Sequence, residues 1–147
     1  INGGEGKYGF LDITKEYRNT KAANLANYSI GMSYLNLKDY ENAIIYLEKF
    51  ESDDIFLESI ALGSIGDCFS ELSQPNEAFE YYEKAFNSSE NLYTSPKFLY
   101  KAAIVGSQIG KNRLSIKYLK RIKDEFPDSY EAAFVDAQLG RLENIDN

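Results

Sequence analysis

The strongest constraint on this chain is that it repeats itself. Ile30-Gly31-Met32-Ser33-Tyr34 is answered by Ile65-Gly66-Asp67-Cys68-Phe69. Asn42-Ala43-Ile44-Ile45-Tyr46-Leu47-Glu48-Lys49-Phe50 is answered in the same way by Glu77-Ala78-Phe79-Glu80-Tyr81-Tyr82-Glu83-Lys84-Ala85. Both blocks recur at an offset of 35 residues. A fixed period of this length marks a stack of like units, none of which can bury its apolar face alone. Each unit offers a small residue (Gly31, Gly66) and an alanine (Ala43, Ala78) at fixed places, which allow packed elements to approach closely. Tyr34 with Leu47, and Phe69 with Tyr82, supply bulk around them.

A third copy places Ala103 at the small position, Ser115 for the alanine and Leu119 for the later large residue; it departs at Gly106, where Tyr or Phe is expected. Residues 10–31 align with 119–140 at an offset of 109, so small positions fall at 31, 66, 103 and 140, in steps of 35, 37 and 37. The chain therefore opens on a second helix without its first and closes on a first helix, eight helices in all. Leu37-Lys38-Asp39, Ser73-Gln74-Pro75 and Gly110-Lys111-Asn112 supply turns, Asp39 a cap, and Pro75 and Ser95-Pro96 first-turn prolines. The polar run Asn87–Asn91 is expected as the longest loop, and residues 1–7 as a tail or exposed turn.

These residues resemble the tetratricopeptide repeat, a helix–turn–helix unit of about 34 residues. The resemblance implies an all-α fold, a right-handed α-α superhelix (a TPR solenoid) of about eight helices in a single domain over 1–147. It divides into a half repeat near 8–18, repeats near 21–52, 55–87 and 95–125, and a capping helix near 129–144. In this family the first helices line a concave groove that receives a partner's peptide or helix. By register the groove would take Leu25, Tyr28, Met32 and Leu35; then Ser64, Asp67, Ser70 and Glu71; then Lys97, Tyr100, Lys101, Ile104 and Gln108. Tyr28, Met32 and Tyr100 could equally pack between repeats. Co-chaperone members clamp a C-terminal carboxylate with lysines and asparagines. Met32, Asp67 and Ile104 occupy the matching asparagine site, so that specificity is not expected. The wall reads as apolar and aromatic near the first repeat, acidic in the middle and basic near the third, which suits a segment of mixed charge.

Composition closes other routes. Acidic residues outnumber basic ones 23 to 16, for a net charge of −7, which disfavours nucleic acid. There is no histidine, so Ser-His and Cys-His catalysis and histidine metal sites are absent. The lone Cys68 reads as a buried structural thiol. Asp53-Asp54, Asp124-Glu125 and the i,i+4 pair Asp67 and Glu71 read as surface or groove charge; no calcium-loop spacing accompanies them. Gly3-Gly4-Glu5-Gly6 lacks the Lys-Ser or Lys-Thr of a phosphate loop, and Asn87-Ser88-Ser89 is a chance glycosylation triplet. Lys120-Arg121-Ile122-Lys123 reads as a solvent face balanced by Asp124 and Glu125. No enzyme, cofactor or metal is expected, and protein binding is favoured over two alternatives: self-assembly through Tyr8 and Leu11 of the opening half repeat, and an enzyme using carboxylates alone.

The segment Phe126-Pro127-Asp128-Ser129-Tyr130-Glu131-Ala132 resembles the repeat joint of bacterial envelope members of the family, and Tyr17–Ala23 repeats it without the proline. A periplasmic array behind an upstream membrane anchor, ahead of Ile1, is the corresponding expectation. This segment itself has no run long and apolar enough to insert in a membrane.

Overall fold

The computed structural model describes residues 21–145. They form seven helices: α1 (Lys21–Asn36), α2 (Tyr40–Glu48), α3 (Ile55–Glu71), α4 (Pro75–Ser88), α5 (Thr94–Gln108), α6 (Asn112–Glu125) and α7 (Ala132–Glu143). The half repeat expected near 8–18 lies outside the described residues. α1/α2, α3/α4 and α5/α6 pair as hairpins, each hairpin packs on the next, and α7 closes against α6. No described helix is long and apolar enough to cross a membrane.

One device ends the first helix of every hairpin. Lys38, Ser73 and Gly110 take left-handed φ values of 61°, 57° and 79°. The amide after each reaches back across the turn: Asp39 N–H to Tyr34 O at 2.9 Å, Gln74 to Phe69 at 2.9 Å, Lys111 to Gly106 at 2.8 Å. This is the Schellman arrangement, which satisfies carbonyls the helix leaves unpaired and turns the chain back on itself. Second helices then start where the sequence placed them. Asp39 accepts from Asn42 N–H at 3.3 Å, and Pro75 sits in the first turn of α4. Asp54 caps α3 by accepting from Phe56 and Leu57 N–H at 2.9 and 3.2 Å.

The crossings are as tight as the repeat requires. A Cβ on Gly31 would lie 2.6 Å from Leu47 Cγ, and one on Gly66 would lie 2.7 Å from the Tyr82 ring. Ala43 and Ala78 are fully buried, and Ala103 is buried in one cluster with Leu119. Gly140 departs from expectation: it is exposed with nothing within 4 Å of a Cβ. α7 packs inward through Val135, Leu139 and Leu142, and no second helix lies against its far side among the described residues.

Gly106 resolves differently. In the first two repeats the matching aromatic stacks on the second helix, Tyr34 on Tyr46 at 5.7 Å and Phe69 on Tyr81 at 5.4 Å. In the third, a Cβ at 106 would meet Ser115 Oγ at 2.6 Å and the Phe79 ring at 2.9 Å. Phe79, from the preceding repeat, fills the space.

The Asn87–Asn91 loop is also corrected. α4 continues through Ser88, and the joint is Ser89–Tyr93, shorter than 49–54 or 126–131. Asn91 ties it: Oδ1 accepts from Thr94 N–H at 2.7 Å, Nδ2 donates to Thr94 Oγ1 at 2.6 Å, and its own N–H donates to Ser95 Oγ at 2.8 Å. Buried Ser59 donates to Ala85 O at 2.8 Å and bonds Thr94 Oγ1 at 3.1 Å, fastening the joint to α3.

Candidate functional site: a recess across the first helices

The C-terminal halves of α1 and α3 lie beside α5 and enclose a recess of about 730 Å³. Leu35 comes from α1; Asp67, Ser70 and Glu71 from α3; Tyr100, Lys101, Ile104 and Gln108 from α5. All eight were chosen by register from the sequence. Sequence reasoning missed Asn36, Lys38, Tyr40, Tyr82 and Val105, which complete the lining. Lys38 enters because the left-handed turn swings it over the groove. Tyr40 and Tyr82 belong to second helices, outside the register of the first helices.

Five expected positions fall elsewhere. Leu25 is exposed and borders a separate recess formed by the 49–54 joint. Tyr28 lays its ring on Phe50, with centroids 5.0 Å apart. Met32 is half-buried against the core of the first two repeats, and Ser64 is buried. Lys97 is exposed, its ammonium 5.6 Å from the Phe98 centroid. Leu25, Tyr28 and Lys97 early in their helices, and Met32 and Ser64 past the middle of theirs, are thus spent on packing or face other surfaces.

The electrostatics differ from the expected acid-to-base gradient. Asp67 Oδ1 accepts from Lys101 Nζ at 2.6 Å and from Tyr82 Oη at 2.7 Å. The acidic middle and the basic third repeat therefore neutralise each other inside the recess. Burial, then the Asp67 charge and its hydrogen bond, hold the Tyr82 phenol well above the usual tyrosine range. Tyr40 is raised as well, by desolvation and then by the Glu71 carboxylate. Leu35, Ile104, Val105 and the Tyr100 ring flank the ion pair with apolar surface, and Glu71 and Lys38 stand exposed at the rim. Beyond Tyr100 an aromatic run continues onto α7: Phe134 lies 6.5 Å from Tyr100 and 5.2 Å from Tyr130, whose side chain is 78% exposed.

Stacked helical hairpins with an amphipathic recess across their first helices define the class: a helical-repeat protein that presents a surface to another chain. Residues 26–52 and 60–92 match the model of the tetratricopeptide repeat, over the first two of the three hairpins. Such repeats serve in general as protein-interaction modules and not as enzymes. The chain is similar to the uncharacterized protein ycf37 of Guillardia theta, with 27% identity over 140 residues, covering 90% of this chain and 75% of that one.

Proposed function

We propose that this protein is an adaptor that holds a segment of a partner protein in the recess between α1, α3 and α5. The observation that carries the reading is the convergence of Leu35, Asp67, Ser70, Glu71, Tyr100, Lys101, Ile104 and Gln108, from three successive repeats, on one cavity. With Asp67 and Lys101 paired, the floor is close to neutral and the flanks are apolar. A segment with one or two aliphatic or aromatic side chains meets Leu35, Ile104 and Tyr100, and basic and acidic flanks meet Glu71 and Lys38.

The test is a double substitution, Tyr100→Ala with Ile104→Asp, in tagged protein expressed in its native host. Both side chains are half-buried on the recess wall, so helicity should persist while the partner is lost from the purified complex. An unchanged set of co-purifying proteins would contradict the reading. Tyr28 and Met32 are poorer choices, since each contributes to internal packing.

An envelope location is a separate proposal, supported by the Phe126–Ala132 joint alone. Fractionation of cells expressing the full gene tests it, with recovery in the soluble cytoplasmic fraction counting against it. Self-assembly through Tyr8 and Leu11 falls on residues outside those described.

A further inference from the structure

The charge of this protein is sorted along the stack. Residues 39–58 hold seven carboxylates and one lysine, whereas residues 111–123 hold six of the 16 basic side chains and no carboxylate. The sequence suggested that the basic run is balanced by Asp124 and Glu125, and the structure shows this to be only partly so. Arg121 pairs with Glu125 at 2.7 Å and Glu90 at 3.6 Å, Lys123 with Asp136 at 2.7 Å, and Lys111 lies over the Phe79 ring. Arg113, Lys117 and Lys120 are exposed and have no ion-pair partner among the described residues. Their spacing, i, i+4 and i+7, puts them in one stripe on α6. In the first described hairpin Glu41, Glu51 and Asp53 are exposed, and their carboxylates likewise have no bonded partner among the described residues. None of these six residues lines the recess.

We propose that the Arg113–Lys117–Lys120 stripe docks along the acidic surface that runs from Glu41, at the start of α2, to Glu51 and Asp53, just past its end, on a second copy of this chain, joining the third hairpin of one stack to the first described hairpin of another. The complementarity is present on both sides of that contact, and α2 and α6 are both second helices, so the recess stays open. A net charge of −7 opposes approach to an anionic bilayer and to a second copy alike, and the second copy offsets it only through the local match of stripe and carboxylates. Exposed ion pairs are individually weak and screened, so the association is salt-sensitive.

Sedimentation of the whole chain tests this. At about 100 µM protein, a concentration-dependent rise in mass is expected in about 20 mM NaCl, with affinity at least about tenfold weaker in about 300 mM NaCl. Lys117→Glu with Lys120→Glu should abolish it, as should Glu51→Lys with Asp53→Lys, and a mixture of the two variants should form a mixed dimer. All four positions are exposed, and unchanged circular dichroism verifies the fold. A wild-type chain that stays monomeric in low salt would overturn the proposal, as would a stripe variant that still associates. Loss with the stripe variant but not with Glu51→Lys and Asp53→Lys would overturn the pairing proposed, as would a mixture that stays monomeric. Salt-sensitive binding to phosphatidylserine vesicles without self-association would assign the stripe to a membrane instead.

Discussion

The Tyr118 hydroxyl on α6 donates to the Glu83 carboxylate on α4, one repeat back, in the register in which Tyr81 on α4 donates to Glu48 on α2 at 2.8 Å. Tyr81 and Tyr118 are equivalent positions of successive second helices, and so are Glu48 and Glu83. None of the four lines the recess, and each bond ties one repeat to the next. Lys120 stands where the next carboxylate of the series would be. The phenol rings add stacking to the bond: Tyr118 lies 5.0 Å from Phe86 and 6.4 Å from Phe79, while Tyr81 lies 5.4 Å from Phe69.

Removing one of these bonds should loosen the joint without unwinding a helix. Tyr118 is buried, so Tyr118→Phe leaves Glu83 without its donor and should cost about 1–2 kcal/mol. The Tyr81 bond is exposed, and Tyr81→Phe should cost less than about 1 kcal/mol. Urea unfolding followed by circular dichroism measures both. Equal effects, or none at Tyr118, would show that the rings carry the joint alone.

The same phenols predict how stability responds to alkali. Burial, then the hydrogen bond and charge of Glu48, push Tyr81 up to about 12; burial and Glu83 raise Tyr118, and burial and Asp67 raise Tyr82. A group that binds its proton more tightly when folded contributes stability that is complete below the unfolded value near 10 and is lost as pH rises towards the folded value. Urea midpoints should therefore hold level up to about pH 9 and fall between about pH 10 and 12. Tyr118→Phe should flatten that fall, which tyrosinate absorbance would follow independently.

Glycines at crossings and glycines in the open should respond oppositely to alanine. A Cβ on Gly63 would sit 2.0 Å from the Phe98 ring, which is 2% exposed and has nowhere to go. Gly63→Ala should therefore cost about 1–3 kcal/mol through overpacking of α3 against α5. Gly140 lies within α7 with nothing near its Cβ position, so Gly140→Ala should stabilise by up to about 1 kcal/mol through helix propensity. Thermal unfolding of the two variants decides the matter, and a shift in the same direction would contradict the packing described.

Cys68 should be silent until the protein unfolds. Its side chain is fully buried, and burial, then Asp67, pushes the thiol up to about 11. A thiol reagent such as DTNB at pH 8 should label the denatured chain stoichiometrically and the native chain only at the rate of opening. Rapid native labelling would show that α3 does not stay packed.

The hairpin stack was legible in the sequence because its determinants are local and recur: small residues at 31, 66 and 103, and turn residues at 38, 73 and 110. Gly140 misled because small residues are also tolerated where nothing packs against them, and Gly106 because the ring that fills its space comes from the neighbouring repeat. The lining of the recess was legible at eight register positions, Leu35, Asp67, Ser70, Glu71, Tyr100, Lys101, Ile104 and Gln108. It was not legible at Tyr28, Met32 and Ser64, because whether a groove-register residue is covered depends on how closely adjacent hairpins approach. Nor could register show that Asp67 and Lys101, 34 positions apart, would meet and cancel.

The most direct test of the recess is site-specific photocrosslinking in the native host, with a benzophenone amino acid at Gln108 inside it or at Glu80, exposed on α4 outside it. A discrete adduct is expected from Gln108 that disappears when Tyr100→Ala and Ile104→Asp are added, and none from Glu80. Adducts of equal yield at both positions, or a Gln108 adduct indifferent to those substitutions, would contradict partner binding in the recess.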